Sequence, residues 1–90
     1  MKIVWDQKKS ILNFRKHGVY FSDAATALDD PAAITIEDVD HEEQRFITIG
    51  MDIQMHVLVV VFTYRDEDTI RLISARPATK KERVIYEKRI

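Results

Sequence analysis

The sequence predicts a small α+β domain, with helices packed on an antiparallel sheet in the order β-α-α-β-β-β-β-α. Three observations carry this reading. Two short N-terminal segments are bounded by helix-cap residues. The apolar residues then alternate with a period of two from Ile34 to Ser74, and a capping box opens a last helix at Thr79. Ninety residues, 46% of them apolar and with a net charge of −1, suit one domain over 1–90 with one core rather than a disordered chain.

The elements follow in order. Lys2 to Trp5 reads as a short strand. Asp6 is the expected N-cap of a helix running to Lys16 with Ile11 and Leu12 on its apolar side, and Gly18 is the expected left-handed stop. Ser22 is the expected cap of a second helix reaching Leu28, which Asp29-Asp30-Pro31 ends. Ile34 and Ile36, then Ile47 and Ile49, alternate with polar or opposite-face neighbours. His56 to Tyr64 is nearly continuous apolar sequence, as in a central strand buried on both faces. Ile70, Leu72 and Ser74 mark the next strand. The connections Val39–Glu43, Gly50–Gln54 and Asp66–Asp68 are short and polar, as in a meander. Thr79-Lys80-Lys81-Glu82 matches a capping box, and the helix it opens runs to the C-terminus with Val84 and Ile85 as apolar anchors.

Several chemistries are excluded. Without cysteine there is no disulfide, thiolate metal site or cysteine nucleophile. Only Gly18 and Gly50 are glycines, so no glycine-rich phosphate loop exists and no nucleotide cofactor is expected. The run Asp38-Val39-Asp40-His41-Glu42-Glu43 begins like a zinc-protease motif, but Arg45 stands where the second histidine belongs. It reads as a solvated hairpin loop, and no metal is expected. The opening MKIVWDQKK lacks the apolar run of a signal peptide, and Val57–Phe62 is too short to span a bilayer. A soluble, cytoplasmic domain without a membrane partner is the expectation.

Charge is segregated. Residues 1–20 hold five bases against Asp6, Asp23–Glu43 holds eight acids and no Lys or Arg, and Arg71–Ile90 holds seven bases against Glu82 and Glu87. If the two basic ends meet, they make a surface for a polyanion; if they pair with the acidic middle, the surface is mixed. Lys9, Asn13, Lys16 and His17 fall on one helix face, and Arg45, Arg65, Arg71 and Arg76 lie on strands, where a guanidinium must meet water, an acid or a phosphate.

The pattern Trp5-Asp6-x-x-Lys9-x-x-x-Asn13-x-x-Lys16-His17-Gly18-Val19-x-Phe21-x-x-Ala24 resembles the opening of the BrnT family. Arg45, Ile49-Gly50, Arg65, Arg71-x-Ile73-Ser74-Ala75-Arg76-x-Ala78, Glu82 and Tyr86 match its second half. These are toxins of bacterial type II toxin–antitoxin pairs with a RelE-like fold. The resemblance implies metal-independent RNA cleavage that stops translation. It also implies a BrnA-type ribbon-helix-helix antitoxin whose complex with the toxin binds operator DNA.

Metal-free cleavage of RNA needs a base for the ribose 2′-hydroxyl, cations for the phosphorane and an acid for the leaving oxygen. Arg65 and Arg76 are the expected phosphate ligands. His17 is the expected proton carrier, with Lys16 and Tyr86 behind it. Lys9, Asn13, Arg45, Arg71, Lys80, Lys81 and Arg83 are the expected contacts to flanking RNA. A non-catalytic module that binds an acidic partner through the same bases is the alternative.

Overall fold

The computed structural model describes residues 1–88. Arg89 and Ile90, the expected end of the last helix, lie outside the described residues. The elements are β1 (Lys2–Val4), α1 (Gln7–His17), α2 (Phe21–Ala27), β2 (Ile34–Asp38), β3 (Arg45–Met51), β4 (Val57–Asp66), β5 (Thr69–Pro77) and α3 (Lys80–Glu87). One sheet has the order β1-β5-β4-β3-β2. The meander β2 to β5 is antiparallel, while β1 adds to β5 in parallel, which the period-two pattern could not reveal. Phe21, Ala24 and Ala27 of α2 pack on Leu58, Val60 and Phe62 of β4 and on Ile70, Leu72 and Ala75 of β5. Burial of these side chains is the main source of stability. No helix among the described residues is long and apolar enough to cross a membrane.

Local chemistry explains the element boundaries. The Asp6 carboxylate accepts the N–H groups of Lys8 (2.8 Å) and Lys9 (3.3 Å), and Gly18 ends α1 at φ 74°. Thr79 and Glu82 form the reciprocal capping box of α3. Ser22 does not cap α2. The cap position falls two residues earlier, at Tyr20, and the helix starts at Phe21, whose N–H is met by the Ser10 hydroxyl of α1 (3.1 Å). Gly50 lies within β3 and not in the turn, and the position requires glycine because a Cβ there would stand 2.5 Å from the Ala27 carbonyl oxygen. The turn is Asp52–His56 instead, held by the Asp52 carboxylate on the N–H groups of Gln54 and His56.

Two expected apolar faces are reversed. Ile11 and Leu12 are exposed on α1, whose buried residues are the polar Ser10 and Asn13. Val84 and Ile85 are exposed on α3, which is anchored by Tyr86. In α1 the inward side is marked by hydrogen bonds, from Ser10 to the Phe21 N–H and from Asn13 to β5, rather than by hydropathy.

Candidate active site

The antiparallel registers set Asp38 opposite Arg45 and Thr63 opposite Arg71, and the pairing of Phe46 with Phe62 brings Arg45 beside Thr63. Arg45 and Arg71 therefore flank Thr63, whose hydroxyl donates to the Gln44 carbonyl (2.6 Å). The Arg71 guanidinium reaches the Glu43 carboxylate (3.0 Å). Arg45 opens β3, and its buried Nε has no hydrogen-bond partner among the described residues. Arg65 and Arg71 line one cavity of about 270 Å³ with Val4, Trp5 and Asp6. Glu43 is a residue the sequence does not single out. Its acid-rich loop reads as solvated, and only the folded chain brings it to Arg71.

A second hollow runs between α1 and the margin of β5. Lys9, Leu12, Asn13, Lys16 and His17 line it from the helix, Ile73 and Ser74 from the strand, and its volume is about 230 Å³. The expected basic helix face thus becomes one wall of a groove against β5. Leu12, 60% exposed, stands on that wall among the bases.

Asn13, an expected RNA contact, spends its polar groups inside the protein. Its side chain is turned inward, 7% exposed. Its Nδ2 donates to the carbonyls of Val19 and Ala75 (2.8 Å each), and its Oδ1 accepts the Ala75 N–H (3.1 Å). It therefore pairs with β5 as a neighbouring strand would, on the stretch beyond the reach of β1.

Arg65 and Arg76 do not meet on one phosphate. Arg76 lies opposite Val59, six residues before Arg65 on β4, a separation of roughly 20 Å at the rise of a strand. The Arg76 guanidinium is held by both oxygens of Glu82 (2.7 and 2.9 Å), which fastens α3 to β5. That fork lowers the Glu82 carboxyl to about 2, against burial, with help from the Thr79 N–H and hydroxyl, and it raises Arg76.

Tyr86, an expected catalytic residue, is buried away from both cavities. It is 2% exposed, and its hydroxyl donates to the Asp30 carboxylate. That bond, with burial and the charge of Asp30, pushes the phenol up to about 12. Burial works to raise Asp30, but hydrogen bonds from Tyr86 and from the N–H groups of Met51 and Ala32 outweigh it and lower the carboxyl. The bases of α3 stay apart from the groove. Lys80 and Lys81 flank Val84 and Ile85 on the outer side, while Arg83 faces Gly18, Met55, His56 and Glu87.

The expected catalytic residues thus divide. Lys16 and His17 stand in the α1–β5 groove, Arg65 stands with Arg71 at the other end of α1, and Arg76 and Tyr86 hold α3 in place.

Comparison with known proteins agrees with this architecture. The profile of the family described as "Ribonuclease toxin, BrnT, of type II toxin-antitoxin system" matches residues 5–82. The crystal structure of the Brucella abortus ribonuclease toxin BrnT superposes with a TM-score of 0.71 at 28% identity, covering 89% of this chain and 99% of that one. Among curated proteins none matches the chain. From the extent of the family match and the shared fold, the chain belongs to the BrnT family of ribonuclease toxins of type II toxin–antitoxin systems.

Proposed function

We propose that this chain, acting as one domain over 1–90, is a cytoplasmic endoribonuclease that cuts RNA without a metal or other cofactor and thereby stops translation. RNA lies along β5, with the scissile phosphate in the α1–β5 groove. The observation that carries this reading is the standing together of Lys9, Lys16 and His17 in that groove.

Arg65 lines a cavity beside Asp6 at the N-terminal end of α1 and His17 closes the other end, roughly 16 Å away along the helix axis, so the two are assigned to different parts of the RNA. The chemistry goes to the end that has a proton carrier. The His17 imidazole takes the proton of the ribose 2′-hydroxyl, and the 2′-oxygen attacks phosphorus. The bond to the 5′-oxygen breaks, and the imidazolium returns the proton to that oxygen. Lys9 and Lys16 stabilise the negative charge of the phosphorane. Arg65, Arg71 and Arg45 bind the adjoining RNA.

The antitoxin of this system is of the BrnA type, covers the same basic groove, and forms with the toxin the complex that binds operator DNA. An acidic antitoxin segment would associate quickly and in a salt-sensitive way with Lys9 and Lys16.

RNA incubated with the protein in excess EDTA tests the catalytic reading. Products with 2′,3′-cyclic phosphate and 5′-hydroxyl ends are expected. His17→Gln should slow cleavage about 10²–10⁴-fold. Intact RNA beside tight antitoxin binding would instead mark a non-catalytic binding module, and full activity of the variant would remove His17 from the reaction.

A further inference from the structure

Trp5 and Asp6 have no part in the proton transfers, yet they line the same cavity as Arg65 and Arg71. We propose that this cavity is a nucleobase pocket that reads guanine in the RNA bound beside the cleavage groove. The proposal rests on the chain being an RNA-binding ribonuclease, and it adds a base preference to that reading.

Size and shape come first. About 270 Å³ falls near the small end of ligand sites, which begin at roughly 300 Å³, so it suits one base. One wall is the half-buried Trp5, braced edge-on against Phe21 of the core (centroids 6.5 Å, planes at 85°). An aromatic ring fixed in this way offers an apolar surface to a base of any identity.

Identity comes from the polar groups. Asp6 uses Oδ1 to cap α1, on Lys8 and Lys9, and its Oδ2 takes no part in those bonds. A carboxylate only accepts, so it selects a base edge that donates. Arg71 spends one terminal nitrogen on Glu43. Arg65 is exposed and makes no ion pair among the described residues. A free guanidinium only donates, so it selects an edge that accepts. Guanine answers both, with the N1–H and N2–H₂ donors on one edge and the O6 and N7 acceptors on the next. Uracil and cytosine lack the N7 acceptor, and adenine lacks the paired donors. Glu43, by holding Arg71, acts as a positioning residue for the pocket.

Trp5 is the single tryptophan, so its fluorescence reports this cavity alone. The full chain is titrated with each of the four nucleoside 3′-monophosphates and with inorganic phosphate. A saturable change with guanosine 3′-monophosphate is expected, at least tenfold tighter than with the other three and absent with phosphate. Asp6→Asn keeps a good N-cap, so the variant folds, but it puts an amide where the carboxylate accepts. Its preference for guanine should fall about 10–100-fold. Arg71→Ala should weaken the same ligand. Equal response to all four nucleotides, an equal response to phosphate, or an unchanged preference in folded Asp6→Asn overturns the pocket. Guanine-selective binding by a chain that leaves RNA intact keeps the pocket and removes only the cleavage chemistry. RNA cleavage without guanine preference and without a Trp5 response removes the pocket alone.

Discussion

Replacing Asn13 by alanine should cost this protein its fold before it costs anything else. The wild-type side chain makes three hydrogen bonds at the seam between α1 and β5, two of 2.8 Å to the Val19 and Ala75 carbonyls and one of 3.1 Å from the Ala75 N–H. All three are buried, and alanine strands the backbone partners. An unmet buried group costs roughly 1–3 kcal/mol, and water can reach part of a seam this close to the surface, so the sum is about 3–5 kcal/mol. For a domain of this size each kcal/mol moves Tm by about 4–8 °C, which predicts a fall of about 12–40 °C. Thermal and urea unfolding followed by circular dichroism measure it directly. Asn13→Asp is a sharper variant, since it keeps the acceptor for Ala75 but sets a carboxylate against two carbonyl oxygens. It should be worse than alanine at neutral pH and recover partly in acid. A variant within about 1 kcal/mol of wild type that has lost RNA cleavage would refute this reasoning and return Asn13 to the RNA-binding surface.

Three further outcomes follow from the same geometry. Tyr86→Phe removes the donor to Asp30 and should cost about 1–3 kcal/mol in urea unfolding while leaving the pH–rate profile of cleavage unchanged; a lost alkaline limb at unchanged stability would restore Tyr86 to the chemistry. Glu82 falls from 4.5 to about 2 on folding, so its contribution is complete above pH 4.5 and lost as the pH drops toward 2. Because the pair is partly solvated, that contribution is about 1–2 kcal/mol, and acid-unfolding curves of Glu82→Gln should lack it. Gly50→Ala should lower stability by about 1–3 kcal/mol, because its Cβ meets the Ala27 carbonyl; an unchanged melting curve would show that α2 shifts freely.

Sequence alone carries the features set by near neighbours. Asp6, Gly18 and the Thr79–Glu82 box act within one helical turn, and β2, β3 and β5 show their period over five residues or more. What it hides acts across the chain. Asn13 on Ala75, Glu43 on Arg71 and Tyr86 on Asp30 join residues 62, 28 and 56 positions apart. Residue type alone cannot say that an asparagine on a basic helix face turns inward, or that a tyrosine in a matching motif is a strut. Gly50 was ambiguous for a different reason, since a glycine serves a turn and a close backbone approach equally well. For the site, the bases of the groove were legible, but their division between two ends of α1 was not.

The Asn13 amide also decides what the sheet can touch outside itself. Past Arg71, where β1 stops pairing, β5 would offer bare backbone to any extended chain, and a side chain occupies that backbone at Ala75. The other margin, β2, stays open, and its Glu37 and Asp38, followed by the acids of the next loop, repel a second copy of itself. One border is plugged and the other is electrically guarded, so sheets of neighbouring molecules have no easy way to join edge to edge. Glu37→Val removes one charge of that guard, and light scattering should then show more self-association than in the wild type as the concentration rises.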